Sequence, residues 1–352
     1  MSFLSSLFVI FIALQSHANP YSKRTGRLTF DIKTSYLSTT ENLDKDGDIV
    51  DLENSNKFEE IKTNLRAEYD YSRYTTFFTD LTVNSVTSND GTSERSETAM
   101  SDVALGFEYI LSRKNAFLVM PSFQVKIPLA TYSETTDSVL LNNNSIDVDA
   151  TLNISKRFRS FYLRGYGGFI YRTEGLSWLI PLGAEAFYIS RRFMIGGGLE
   201  SSFSVTDDDY TNDTSRRTDV TDRVNAGSLA YNAVNPSITK LYGLFKFYIE
   251  PQLYVGLGVK QSIFGESAAY GTEYVANVGF AFGGKTKKVP TLRSQDREEN
   301  PDDFEFKFEE ESDKDADVFN NSKKIRYKER VEDSLDSVEK NLEIKLKKNK
   351  RN

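Results

Sequence analysis

From Ile146 to Ser155 the chain alternates without a break, with Ile146, Val148, Ala150, Leu152 and Ile154 set against Asp147, Asp149, Thr151, Asn153 and Ser155. A period of two marks a strand whose two faces meet different surroundings. The pattern recurs three times downstream. Phe161, Leu163, Phe169 and Tyr171 oppose Tyr162, Arg164, Tyr166 and Arg172; Trp178, Ile180, Leu182, Ala184 and Ala186 oppose Glu185; Phe193, Ile195, Leu199 and Phe203 oppose Glu200. Two architectures produce it. A soluble sandwich turns the polar face outward, whereas an outer-membrane barrel turns the apolar face to lipid and lines its lumen with the charged one.

Followed along the chain, the pattern predicts twelve strands: Arg27 to Tyr36, Glu59 to Tyr71, Thr75 to Ser85, Asp102 to Leu111, Ala116 to Tyr132, Ser145 to Ser155, Phe161 to Thr173, Ser177 to Tyr188, Phe193 to Val205, Ser237 to Ile249, Leu253 to Phe264 and Thr272 to Phe282. Most reach the roughly 9 to 11 residues a tilted strand needs to cross a bilayer, where soluble strands peak at about 5 to 6. Connectors after even-numbered strands are tight, at 72–74, 112–115, 157–159, 190–192 and 250–251. Those after odd-numbered strands are mostly long and polar, at 37–57, 86–100, 133–144 and 206–235. Sorting by parity puts short turns at one end and long loops at the other, as an outer-membrane barrel does and a sandwich has no reason to do. The expectation is an all-β fold, a 12-stranded antiparallel transmembrane outer-membrane barrel at 27–284. Pro128 and Pro181 fall inside strands, which a barrel rim or a bulge tolerates.

The flanks read differently. Residues 1–18 have an apolar block from Phe3 to Leu14 followed by Ser16-His17-Ala18, the form of a cleavable signal peptide, although no Lys or Arg precedes the block. Residues 19–26 form a lead-in. Beyond the barrel, 285–322 is an acidic flexible linker. Residues 323–352 form an amphipathic helical tail in which Val331, Leu335, Val338 and Leu342 make a short seam. Such a tail suits a periplasmic protein or the peptidoglycan layer as partner.

Composition narrows the chemistry. A net charge of −7 gives no bulk attraction to nucleic acid. A mean hydropathy of −0.47 would ordinarily point to a soluble protein, but half of every barrel strand and most loop residues are polar. There is no cysteine, and the single histidine, His17, lies in the signal segment. A Ser-His hydrolase therefore lacks its base, and neither an enzyme nor a cofactor is expected.

Strand phase places twenty charged residues inward. The candidates for lining a solute path are Lys62, Arg66, Glu68, Glu108, Lys126, Asp147, Asp149, Arg164, Glu185, Glu200, Lys240, Lys246 and Lys260, with Asp31, Lys33, Asp70, Asp80, Asp102, Arg172 and Glu273 on the same faces. Nine are basic and eleven acidic, so no single sign dominates. Two readings stand: a path between an acidic and a basic wall, or a salt-bridged interior that holds the barrel shut. In the loops, Asp44, Asp46 and Asp48 alternate as calcium ligands do, but Ile49 stands where a calcium loop of this type needs glycine. A solvated acidic loop is the default. The loop at 206–235 suits an inward constriction or an outward receptor surface equally well.

Two resemblances add to this. Tyr274 to Phe282, with Gly279 before Phe280 and Phe282, is similar to the terminal signal of outer-membrane proteins and implies recognition by the barrel-assembly machinery. Ser101 to Tyr109, Phe123 to Leu129 with Lys126-Ile127-Pro128, and Pro181-Leu182-Gly183 resemble the outer-membrane transporters associated with phenol-degradation (MetA-type) pathways. That resemblance implies a twelve-stranded barrel passing small, aromatic or hydrophobic solutes, with no catalytic residue to carry over. Together these give an expected channel or transporter for small solutes in the outer membrane of a Gram-negative bacterium. Its loops would be extracellular beside lipopolysaccharide, and its termini periplasmic. The alternative is a closed barrel acting as a scaffold or anchor without transport.

Overall fold

A computed structural model describes residues 25–283 except Asn115 and Glu134. The expected signal peptide, most of the lead-in, the acidic linker and the helical tail lie outside the described residues. Alternation of apolar and polar positions makes each long segment a strand with one lipid-compatible face. Twelve such strands appear: β1 (Arg27–Leu43), β3 (Lys57–Asp70), β4 (Thr75–Asn89), β5 (Glu94–Tyr109), β7 (Phe117–Pro128), β8 (Asp147–Phe158), β9 (Phe161–Arg172), β10 (Leu179–Ile189), β11 (Phe193–Ser204), β12 (Ser237–Glu250), β13 (Leu253–Glu266) and β14 (Ala268–Gly283). Short strands β2 (Ile49–Asp51) and β6 (Ser112–Lys114) pair with β1 and β7, and one helix, α1 (Ser215–Val224), interrupts the longest loop.

Neighbours in sequence pair antiparallel all the way round, and β14 returns to β1 from Arg27↔Gly283 to Leu43↔Ala268. Closure removes the free edges, which in hydrocarbon would leave backbone N–H and C=O groups without partners. No helix among the described residues is long and apolar enough to cross a membrane; the strands do so. Outward positions carry an apolar belt that includes Leu105, Leu163, Leu199, Leu241 and Leu257, all exposed, while Asp31, Glu68, Glu108, Arg164 and Lys260 on the opposite face are buried.

Tight connections at 71–74, 159–160, 190–192 and 251–252 lie at one end, with β6 in the slightly longer turn between β5 and β7. The other end differs from expectation at three places, the first being 37–57, where β1 runs on to Leu43 and pairs with β2 instead of giving way to a loop after Tyr36. The segment 86–100 is not a long loop, because β4 and β5 continue through it to a turn at 90–93, paired from Val86↔Glu97 to Asn89↔Glu94. Its outward residues, Ser85, Thr87, Ser96 and Thr98, are polar, so the apolar half of the alternation that marks a strand is missing there. Asp90 builds the turn, its carboxylate accepting from the N–H groups of Thr92 and Ser93 and from Arg95 Nη1 at 2.9 Å. Likewise β13 and β14 meet through Ser267 alone, at φ 48°. Pro128 ends β7, and the β9–β10 pairing skips Ile180 and Pro181, where the imide has no N–H to give.

Two loops of that end fold inward. Val139, Leu140 and Leu141 of the loop 129–146 and Val220, Val224 and Tyr231 of the loop 205–236 pack on Phe58 and Val86, which face inward from β3 and β4. Backbone groups in this mass find side-chain partners. Ser88 Oγ donates to Val224 O at 2.6 Å, Asn84 Nδ2 to Leu141 O at 2.5 Å, Asn42 Nδ2 to Gly227 O at 2.8 Å, and Leu140 N to Asn225 Oδ1 at 3.0 Å. The two longest loops thus form a stopper in one mouth of the barrel.

Candidate functional site

Inward charges meet across strands, and their grouping follows from register. Arg66 on β3 donates from Nε to Glu68 Oε1 at 2.7 Å, and from its terminal nitrogens to Asp80 Oδ2 at 3.0 Å and Glu108 Oε1 at 3.3 Å. Its guanidinium lies 3.8 Å from the centroid of the Phe78 ring. This guanidinium thus joins carboxylates from β3, β4 and β5.

In the arc made by β11 to β14 two lysines meet two glutamates. Lys240 Nζ donates to Glu273 Oε2 at 3.2 Å and Lys260 Nζ to Glu200 Oε1 at 2.8 Å, each pair reaching over the strand between. Lys33 on β1 stands between this arc and the Arg66 group, with Glu200, Glu273, Lys62 and Lys260 among its charged neighbours on one side and Asp80 on the other. Between the two arcs stands Arg164, which donates to Glu185 Oε1 at 2.8 Å and, from Nε and Nη2, to Asn153 Oδ1 at 3.1 and 2.6 Å. Glu185 also accepts from the Tyr242 hydroxyl. Asp149 accepts from Thr151 Oγ1 at 2.6 Å.

These groups surround a chamber of about 350 Å³ inside the barrel. Of the candidates, Arg66, Glu108, Asp149, Arg164, Glu200, Lys240 and Lys260 line it, and Glu68 and Glu185 stand behind as partners of the two arginines. The rest pair elsewhere in the lumen. Lys126 meets Asp147 at 2.6 Å, Lys62 meets Glu60 at 3.0 Å, and Lys246 lies 4.5 Å from the centroid of the Tyr254 ring. Lys62 and Glu60 sit under the stopper, where Glu60 also accepts from the Tyr231 hydroxyl. Burial and the adjacent Glu60 carboxylate hold that phenol well above its ordinary pKa, so it stays a donor. Burial pushes the Tyr132 phenol up to about 12, and its hydroxyl donates to Asn232 Oδ1 at 3.2 Å, tying the two loops together.

Inward tyrosines and glycines are the features that counting charges passes over. Phe78, Tyr166 and Tyr254 stand directly opposite Gly106, Gly183 and Gly279 on the next strand. A Cβ on any of these glycines would come within 2.3 Å of the facing ring. The rings therefore lie across the glycines, close to the wall, rather than projecting into the lumen. The signal was present in the sequence as an aromatic and a glycine on the inner faces of adjacent strands. In the acidic loop, Asp44 Oδ1 accepts from the N–H groups of Asp46 and Asp48 at 2.8 and 2.9 Å, so it serves its own turn. Among the described residues, no group of three or more His, Cys, Asp or Glu side chains is placed to hold a metal ion.

No family model matches the chain, and no curated protein matches it. Solved structures do. The crystal structure of an outer membrane channel from Pseudomonas putida F1 aligns with a TM-score of 0.55 at 12% identity, over 74% of this chain and 98% of that one. A KdgM porin aligns at 0.43 and 9% identity over 72% and 99% of the two chains, and the CymD monoaromatic hydrocarbon channel at 0.37 and 9% over 76% and 92%. The likeness to the P. putida channel is one of fold and agrees with the architecture that the transporter resemblance implied. This chain folds as a closed twelve-stranded outer-membrane β-barrel, with its apolar outer face suited to lipid.

Proposed function

We propose that the barrel is a channel for small solutes across the outer membrane, with its path through the mixed-charge chamber and its flow limited by the loop stopper. The observation that carries this reading is the chamber itself. A barrel serving only to anchor would be held more firmly by a filled interior, since voids forfeit packing contacts. The fold shared with an outer membrane channel supports it. In this reading the stopper end faces outward beside lipopolysaccharide, the tight turns and both termini face the periplasm, and β14 is the strand addressed by the barrel-assembly machinery. The helical tail is then placed to meet a periplasmic protein or peptidoglycan.

A closed scaffold is the second reading, favoured by the paired charges around Arg66 and Arg164 and by the stopper. Single-channel conductance separates the two. The full-length protein is compared in a planar bilayer with a variant whose residues 207–234 are replaced by a short Gly-Ser turn. A channel gives small or rare steps in the first and larger, sustained steps in the second. Silence from both, with folding established by heat-modifiable migration, would establish the scaffold.

A further inference from the structure

We infer that a basic row running across three neighbouring tight turns, with Lys114, Lys156, Arg159 and Arg192 foremost, binds anionic phospholipid headgroups in the leaflet at that end of the barrel. The inference is independent of transport and holds equally for a closed barrel. Residues 112–117, 155–161 and 188–193 carry seven lysines and arginines and no aspartate or glutamate. Antiparallel register sets these turns side by side. Phe117 pairs with Lys156, Arg157 N donates to Ala116 O at 3.0 Å, and Ile189 N donates to Ser160 O at 2.6 Å. The other two turns of that end have Arg73 and Glu250, which cancel. The field is therefore positive along one side of the rim.

The position of the row selects lipid as its partner. Lys114 and Lys156 are both direct register partners of Phe117, one on each side, so all three side chains lie on the outer face. Phe117 is exposed there, while the next residue, Leu118, points inward and is buried. Lys156 Nζ stands 4.7 Å from the centroid of the exposed Phe158 ring. The rings of Phe161 and Tyr188, 5.5 Å apart, continue the aromatic band toward Arg191 and Arg192. Cations immediately beyond outward aromatic side chains stand at headgroup depth, their stems along the apolar surface and their charges at the phosphates. An acidic protein arriving from the water would meet the turns and not the rings; a phospholipid meets both. Among the described residues Lys114, Lys156, Arg159 and Arg192 form no ion pair. A phosphatidylcholine headgroup brings its own cation, which these side chains repel, whereas phosphatidylglycerol offers the phosphate alone.

The single tryptophan supplies a reporter for the test. Trp178 is exposed at the opposite end of the barrel, between loop segments that carry Glu174, Asp207 and Asp209. Full-length protein is refolded into phosphatidylcholine vesicles containing either brominated phosphatidylglycerol or brominated phosphatidylcholine, which quench a nearby indole. The parent chain is compared with a Phe117→Trp, Trp178→Phe double variant, both judged on heat-modifiable protein. Each Lys or Arg close to an anionic surface is favoured roughly fivefold before screening. The double variant is therefore expected to select phosphatidylglycerol by about threefold or more, and the parent chain to show no such preference. Lys114→Gln, Lys156→Gln and Arg159→Gln, introduced together, bring the ratio to about one, and the charge-retaining Lys114→Arg, Lys156→Arg and Arg159→Lys keep it. Equal quenching by the two lipids beside residue 117, a preference of the same size at both ends, or a preference that the triple neutralisation leaves unchanged would overturn the assignment.

Discussion

Arg66 shows what single residues contribute. Its side chain is 13% exposed, and Glu68, Asp80 and Glu108 are 4%, 11% and 5% exposed, so the group is largely withdrawn from solvent. Removing one partner of such a buried set leaves charge without compensation, at about 3 to 5 kcal/mol. Arg66→Met should therefore lower the unfolding free energy of the refolded barrel, read from a urea titration, by that order, and an unchanged free energy would show that the carboxylates are not held by the guanidinium. Asp90, outside the membrane-spanning part, makes a contribution that depends on pH. Hydroxyl and amide donors from Thr92 and Ser93, with Arg95, hold its carboxyl well below the ordinary value. A depressed folded-state pKa means the contribution is complete above the unfolded value of about 3.9 and fades as pH falls through the folded one. NMR should find the Asp90 carboxyl still ionised when exposed carboxyls have taken up their protons. The sequence placed the inward charges on the correct face through strand phase alone. It did not pair them all: Arg164 and Glu185 are direct cross-strand neighbours and follow from hairpin register, but Lys260 with Glu200 reaches past β12, which depends on how the strands tilt.

Elements carry the next level. The outward face of β11 is read directly from its alternation, and Leu199, midway along it, is exposed. A cation on the lipid face near the midplane costs roughly 2 to 4 kcal/mol, so Leu199→Arg should cut the yield of heat-modifiable barrel; normal yield would contradict the strand phase. Where β4 and β5 continue past Val86 and before Met100, the outward face turns polar, and the period of two disappears although the ladder does not. The stopper was illegible for another reason. Nothing local in residues 206–235 distinguishes folding inward from standing free, because its partners, Phe58, Val86 and Leu140, are distant in the chain. Val224 is fully buried among them. Val224→Asp would bury an unpaired charge, and should loosen the stopper and raise conductance while the barrel still resists heat; unchanged conductance would mean that the loop does not limit flow.

At the scale of the whole molecule, closure of β14 on β1 makes a cylinder with lipid outside, charge inside and a loop mass at one mouth. Its outer alternation made the cylinder legible, but the chamber depends on which inner side chains fold back against the wall, as Tyr166 does over Gly183. In the proposed channel solute passes through that chamber, and the cysteine-free chain permits a direct test. Ser202 lines the chamber from β11. A Ser202→Cys variant, held in a planar bilayer, is treated with a charged, membrane-impermeant methanethiosulfonate reagent. If the path runs through the chamber, the thiol reacts and the current falls stepwise to a lower level, whereas the cysteine-free parent is unaffected. A barrel that conducts while its Ser202→Cys thiol reacts without changing the current, or does not react at all, would place the path outside the chamber.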